Sequence, residues 1–399
     1  MDRDERIVVK GFRFAAQAAG LKKSGKLDLG LIVSAVPATS AGVFTTNKVV
    51  AAPVLVTSPR IRSGQCQAIL VNSGNANACT GEAGLRDAIA CGRLAAQALG
   101  IAEELVAVSS TGVIGQPLAM ERFTAGVPPL VAALDESGAA EVATAIMTTD
   151  SFPKLVATRG SAGERDYTLL AVAKGAGMIH PKMATMLAFV LTDARVAPDF
   201  LDQALRRAVN GSFNSITVDR DTSTNDMALI LANGMAETPE IVAGTSAAEE
   251  FQHLLDEILL DLAKMIVRDG EGATKLVRIH LQGARDAAQA RQAAVAVATS
   301  SLVKTAFFGE DANWGRIIAA VGYSGAEVDP DRVAIRFDQV AVVENGLSTG
   351  KELEAEATKV LKQPEFTVTV DLHLGDGSAD YYTSDLTYDY VKINASYRT

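Results

Sequence analysis

Lys174-Gly-Ala-Gly-Met-Ile-His-Pro-Lys-Met-Ala-Thr185 follows the apolar stretch Thr168-Leu-Leu-Ala-Val-Ala173 and runs straight into Met186-Leu-Ala-Phe-Val-Leu191. Both apolar runs are short and continuous, as strands buried on two faces are. A glycine-rich loop bearing a proline therefore joins two core strands. Loops are normally polar and exposed, because irregular backbone leaves amides unpaired when buried. This one instead sets apolar residues and two lysines around a threonine at a strand head, and that combination reads as a site. No Ser-His-Asp order is legible, and the nearest histidine, His180, lies in the loop itself. A threonine without a side-chain base can still be a nucleophile if the bond before it is cut, because the freed α-amine, with a pKa of about 7.7–8.0, takes the hydroxyl proton. The reading is self-cleavage at Ala184-Thr185.

Working outward, 399 residues allow two or three domains, and 48% hydrophobic residues supply a large core. The net charge of −10 and a pI near 5.1 argue against a nucleic-acid or anionic-membrane partner, since an acidic surface offers neither any counter-charge. Small molecules are the expected partners. Cys66, Cys79 and Cys91 are odd in number and lack metal spacing, and the polar start Met1-Asp-Arg-Asp-Glu-Arg6 leads into no signal-like apolar region. The expectation is a reduced, cytoplasmic protein with buried thiols. No apolar run reaches the roughly 18–20 residues of a membrane-spanning helix.

The first eighty residues read as sheet, with strands at Gly30–Ser34, Ala41–Phe44, Val54–Val56 and Ala68–Val71 broken by Pro37, Pro53 and Asn72-Ser-Gly74. A helix is expected from Glu82 to Leu99, stopped by Gly100, and then a strand at Val106–Val108 running into Ser109-Ser-Thr-Gly112. Leu130 to Ala145 has helical character, and Asp199 to Asn210 makes a short helix ended by Gly211. The clearest helix spans Ala247 to Arg268, where Phe251, Leu254, Leu255, Ile258, Leu259, Leu262 and Ile266 follow i, i+3, i+4, i+7 spacing. Glu271 falls in the tight link to a strand of alternating Val277, Ile279 and Leu281. An alanine- and glutamine-rich helix over Ala284–Ala298 suggests a boundary between lobes 1–283 and 284–399. The second lobe holds strands at Val333–Phe337, Val340–Val343 and Phe366–Leu374, a Lys351–Leu361 helix, and a last strand over Leu386–Ile393.

Several patterns carry less than they promise. Ser301-Leu-Val-Lys304 fits S-x-x-K, but its companion motifs are missing and it reads as a turn. Asp219, Asp221 and Asp226 read as a capped turn, not a Mg²⁺ site. Gly175-Ala-Gly177 lacks the third glycine of a dinucleotide fingerprint. His180, His253, His280 and His373 have no chelating spacing, so no metal and no cofactor are expected.

The central loop resembles the self-cleavage segment of the ornithine acetyltransferases, the bifunctional arginine-biosynthesis proteins. The likeness extends along the chain through Ala41–Asn47, Asn72–Ala78, Ser109–Gly115, Thr148-Thr-Asp150, Asp221–Asp226, Asp269–Lys275 and Phe308–Gly315. It implies an α/β/β/α layered sandwich with a smaller C-terminal lobe. It also implies cleavage after Ala184 into chains 1–184 and 185–399, assembled as a heterotetramer of two each. Thr185 is then the nucleophile that carries acetyl, Thr111 and Gly112 form the oxyanion hole, and Thr148, Lys174, Thr185, Glu271, Asn394 and Thr399 bind substrate. The reaction implied moves acetyl from N2-acetyl-L-ornithine to L-glutamate by a ping-pong route, with acetyl-CoA a second acetyl source in the bifunctional forms.

Taken singly, these residues have plainer readings. A threonine at a strand head is commonly a β-former, Thr111-Gly112 a turn, and Lys174 and Glu271 solvated charges. Two other functions also stay open at this point. One is a self-processing aminopeptidase that discharges its acyl-enzyme to water, and the other is a metabolite-binding protein that keeps the loop without catalysis.

Overall fold

The computed structural model describes residues 8–180 and 186–396. Ala184, Thr185 and Thr399 lie outside the described residues. The chain opens with β1 (Phe12–Gln17) and β2 (Leu29–Phe44), then α1 (Ala52–Arg62), β3 (Gln65–Asn75), α2 (Gly81–Leu99) and β4 (Val106–Val113). Helices α3 (Met120–Ala132) and α4 (Ala139–Ala145) lead to β5 (Lys154–Ala162), β6 (Arg165–Lys174) and β7 (Leu187–Thr192). Next come α5 (Pro198–Gly211), β8 (Ile216–Thr217), β9 (Met227–Ala232) and α6 (Ser246–Arg268).

Among the described residues these strands form an eight-stranded sheet, ordered β4-β3-β2-β9-β7-β6-β5 with β1 on β2. Its shape depends on β2. Leu29–Val33 pair with β3, the register shifts between Val33 and Ala38, and Thr39–Phe44 pair with β9. An irregularity of this kind bends a strand and raises its twist, and Pro37 sits inside it. One sheet is thereby folded into two facing layers. Ile32, Ile69 and Val71 of one layer pack with Leu170, Val172, Phe189 and Leu229 of the other in a single buried cluster. Outside the first layer lie α2 and α3, through Ala88, Ala95, Phe123 and Val127. Outside the second lie α5 and α6, through Leu201, Leu205, Phe251, Leu255, Leu259 and Leu262. The result is the α/β/β/α sandwich. Strands buried from both sides explain why β7, with all six residues buried, is a continuous apolar run without alternation.

The C-terminal part contains β10 (Leu276–Ala284), α7 (Ala287–Thr299), α8 (Ser301–Phe308), α9 (Trp314–Gly322), β11 (Ala334–Phe337) and β12 (Val340–Glu344). It continues through β13 (Leu347–Ser348), α10 (Lys351–Leu361), β14 (Glu365–Asp371), β15 (Gly377–Ser384) and α11 (Tyr388–Ser396). Its sheet runs β13-β12-β11-β14-β10-β15-β8, so β8 of the first part closes one edge. The division at 283/284 falls at the last residue of β10, a strand of this second sheet.

Three sequence-based expectations give way. Val54–Val56 is helix, not strand: Pro53 sits in the first turn of α1, where its missing N–H costs nothing, and Val54, Val56, Thr57 and Ile61 bury one side. Leu386–Ile393 is largely α11: the Thr387 hydroxyl accepts the amide of Tyr390, as an N-cap does, and Tyr388 stands 83% exposed, so no sheet partner claims the alternation. Ser301–Lys304 is the first turn of α8, capped by the Ser300 hydroxyl on the amide of Val303. Tertiary packing and caps outweigh local β preference in the first two cases, and a cap extends the expected turn into a helix in the third.

Candidate active site

β4 presents Thr111 and Gly112 at its C-terminal end. Parallel pairing sets Ser73 of β3 against Thr111 and Gly74 against Gly112. Gly112 has φ 131°, and a Cβ there would stand 2.4 Å from the carbonyl carbon of Gly74 and 2.6 Å from the nitrogen of Asn75. Only glycine lets the two strand ends close this tightly. Thr111 is 4% exposed.

β6 ends in Lys174, opposite Leu187 of β7. Lys174 is 3% exposed and its Nζ donates to Thr111 Oγ1 at 3.3 Å. Burial pushes its ammonium pKa below the ordinary lysine range, Asp150, Asp226 and Glu271 pull it back up, and Lys154 opposes them. The next amide, Gly175, donates to Asp150 Oδ1 at 2.7 Å, and Thr148 donates its amide to Asp150 Oδ2 at 2.9 Å. Burial raises the Asp150 carboxyl, but Lys174 and Lys154 together pull it well below the usual carboxylate range.

The turn after α6 brings in Glu271. Its amide donates to the carbonyl of Ala176 at 2.9 Å, and its carboxylate lies so near Gly177 that a Cβ there would come within 2.5 Å of it. From α11, Asn394 Nδ2 donates to Glu271 Oε2 at 2.8 Å. The tail helix is held on this turn by Thr387, whose hydroxyl donates to the carbonyl of Gly272 at 2.7 Å, while Tyr388 lies edge-on to Phe308 of α8, ring centroids 5.5 Å apart.

Asp219 completes the rim. It accepts the amides of Met178 at 2.6 Å, Ile179 at 2.8 Å and Asp221 at 3.1 Å. Burial raises its pKa to about 6 against the pull of those amides. Met178 holds φ 60°, uncommon for a residue with a side chain, and Asp219 pins the loop there. At the start of β7, Asp226 Oδ1 accepts the amide of Met186 at 2.9 Å. Burial drives the Asp226 carboxyl well above its ordinary range.

Thr111, Gly112, Thr148, Lys174, Glu271 and Asn394 line one cavity of about 210 Å³. The structure thus brings together every expected site residue that lies within the described residues. Sequence reasoning missed Met178, Asp219, Asn225 and Tyr390 on the same walls. Asp219 was legible as a capping acid, but nothing local said that the capped turn faces a cavity. Asn225, within Asp221–Asp226, braces the floor by donating to the carbonyls of Ala76 at 2.6 Å and Ser110 at 2.9 Å. The motif Phe308–Gly315 does not reach the site: Asn313 caps α9, and Trp314 Nε1 donates to Glu354 at 3.0 Å. A wider groove of about 670 Å³, faced by Arg220, Arg291 and Tyr323, shares no lining residue with the cavity.

A small cavity with buried ionisable groups at the ends of core strands, inside an α/β/β/α sandwich, is that of an enzyme of this layered class. The profile of the ArgJ family matches residues 13–399. The chain is 68% identical to the arginine biosynthesis bifunctional protein ArgJ of Syntrophotalea carbinolica, over 98% of its length and all of that protein. It is 60% identical to the ArgJ protein of Geobacter sulfurreducens, with the same coverage. The crystal structure of ArgJ from Bacillus halodurans is 44% identical and superposes with a TM-score of 0.51, covering 52% of this chain and 98% of that one. The chain belongs to the ArgJ family, and it is an acetyltransferase of arginine biosynthesis.

Proposed function

We propose that this cavity transfers acetyl from N2-acetyl-L-ornithine to L-glutamate by a ping-pong route through acetyl-Thr185, after cleavage of the Ala184–Thr185 bond. Thr185 Oγ attacks the carbonyl of Ala184, the acyl group moves from nitrogen to oxygen, and water hydrolyses the ester. This leaves a carboxylate on Ala184 and a free α-amine on Thr185. In turnover the α-amine takes the Thr185 hydroxyl proton as Oγ attacks the acetyl carbonyl, and passes it to the departing ornithine nitrogen. The amine of glutamate then attacks the acetyl ester and restores the hydroxyl. Acetyl-CoA charging the same threonine would supply the second activity of a bifunctional enzyme.

What carries this reading is the convergence of Thr111, Gly112, Lys174 and Glu271, from three separate stretches, on one cavity. Lys174 donates to Thr111 Oγ1, so the hydroxyl proton of Thr111 is left to point at a developing oxyanion beside the N–H of Gly112. Glu271, steadied by Asn394, is a carboxylate suited to the δ-ammonium of ornithine. The cut yields chains of 184 and 399 − 184 = 215 residues, proposed to assemble two of each.

Denaturing electrophoresis of the purified protein tests the cleavage. Two bands are expected from the parent and one from Thr185→Ala. Incubation with N2-acetyl-L-ornithine, with and without glutamate, tests the transfer. Acetylglutamate formed only with glutamate supports it, whereas free acetate and ornithine released at the same rate without glutamate would mean a hydrolase.

A further inference from the structure

Beneath the cavity lies a second layer of charge that none of the site roles uses. Lys154, the first residue of β5, is 0% exposed, and its Nζ stands 2.7 Å from Asp150 Oδ1 and 2.5 Å from Asp269 Oδ2. Each partner holds a different wall. Asp150 receives the amides of Thr148 and Gly175. Asp269 ends α6, receives the amide of Ser151 at 3.1 Å and its hydroxyl more closely, and lies two residues before Glu271. A single ammonium thus ties the Thr148 loop, the Lys174–Gly175 strand end and the Glu271 turn.

The arrangement also sets up a competition. Asp150 feels the charge of both Lys174 and Lys154, yet its Oδ1 is already occupied by Lys154 and the Gly175 amide, while Lys174 directs its hydrogen bond to Thr111. In a medium of low dielectric an unpaired carboxylate draws the nearest ammonium strongly. We infer that Lys154 is a positioning residue: by satisfying Asp150 and Asp269 it leaves Lys174 turned to Thr111. Without it, Asp150 recruits Lys174, and the Thr111 hydroxyl loses the donor that orients it. This inference rests on the reaction proposed above.

Lys154→Met leaves two buried carboxylates against one ammonium and is expected to cost fold stability, so the decisive variant is the charge-balanced pair Lys154→Met with Asp269→Asn. The parent and the pair, each confirmed as processed and folded by electrophoresis and near-UV circular dichroism, are compared in acetyl transfer from N2-acetyl-L-ornithine to glutamate. The expected result is a kcat about 10- to 100-fold lower with KM for acetylornithine within about threefold, because the lost interaction acts on the oxyanion and not on ground-state binding. A parental kcat in the pair overturns the inference. So does a rise in KM that accounts for the whole loss, since general loosening of the site would produce that. Failure of the underlying reaction shows elsewhere, as a parent enzyme that transfers no acetyl.

Discussion

Two buried lysines, Lys174 at 3% exposure and Lys304 at 5%, do different things. Lys174 and Lys304 both have their ammonium pKa lowered by burial, Lys304 to about 7. Lys304, on α8, donates to Thr383 Oγ1 at 3.0 Å, to the carbonyl of Ser384 at 2.5 Å and to Ser384 Oγ at 3.1 Å. All three acceptors are neutral, and together they absorb every proton the ammonium carries. Lys304 is a tether between α8 and β15. Lys174 instead faces a cavity, makes one long hydrogen bond among the described residues, to Thr111, and lies among Asp150, Asp226 and Glu271. Burial alone does not mark a functional lysine. What distinguishes Lys174 is donor capacity left over and aimed at a space a ligand can enter.

The largest effect that could break this comparison is on turnover. Lys174→Met should lower kcat for acetyl transfer on the order of 10²- to 10³-fold, the loss typical of a disabled oxyanion donor. Its melting temperature should stay close to the parent's, because Asp150 keeps Lys154. Normal turnover in that variant would place Lys174 with Lys304 as a structural residue.

A smaller effect sharpens the other side. The folded pKa of Lys304, about 7, lies below the 10.5 of an unfolded lysine, so the folded state gives up its proton first. Below pH 7 the fold bears the whole cost of a buried ammonium. As pH rises from 7 through 10.5 that cost is relieved, and stability increases. Melting curves at pH 6.5 and 9.5 should therefore show the parent gaining on Lys304→Met as pH rises. A constant difference would mean that the neutral acceptors hold the charged form without penalty.

The smallest effect belongs to charges that are paired but wet. Arg278 and Asp380, bonded at 2.7 Å, are 41% and 38% exposed. Arg278→Ala should cost no more than about 1 kcal/mol by chemical denaturation and leave turnover unchanged.

Much of this molecule was legible before folding. The stripe on α6, the stop at Gly100 and the continuous apolar runs of β6 and β7 follow from periodicity and burial, and the structure has helices and strands at those places. α11 was not legible, because Tyr388, Tyr390 and Lys392 alternate like a strand while a single side-chain cap at Thr387 decides for helix. The β2 bend was hidden for a similar reason: two short apolar runs around Pro37 read as two strands, and only pairing to β3 on one side and β9 on the other shows one strand serving both layers.

The candidate site divides along the same line. Residue chemistry and motif likeness alone singled out Thr111, Gly112, Lys174, Glu271 and Asn394, since glycine at a strand end and acids at a helix end are local signals. Tertiary structure alone decided that Asp219 and Asn225 face the same cavity, and that Lys154 lies beneath it between two carboxylates. The reason is physical. Hydrophobic period and turn chemistry act over a few residues, whereas the charge a buried group feels is set by whatever the fold packs against it from more than a hundred residues away, as Asp269 is packed against Lys154.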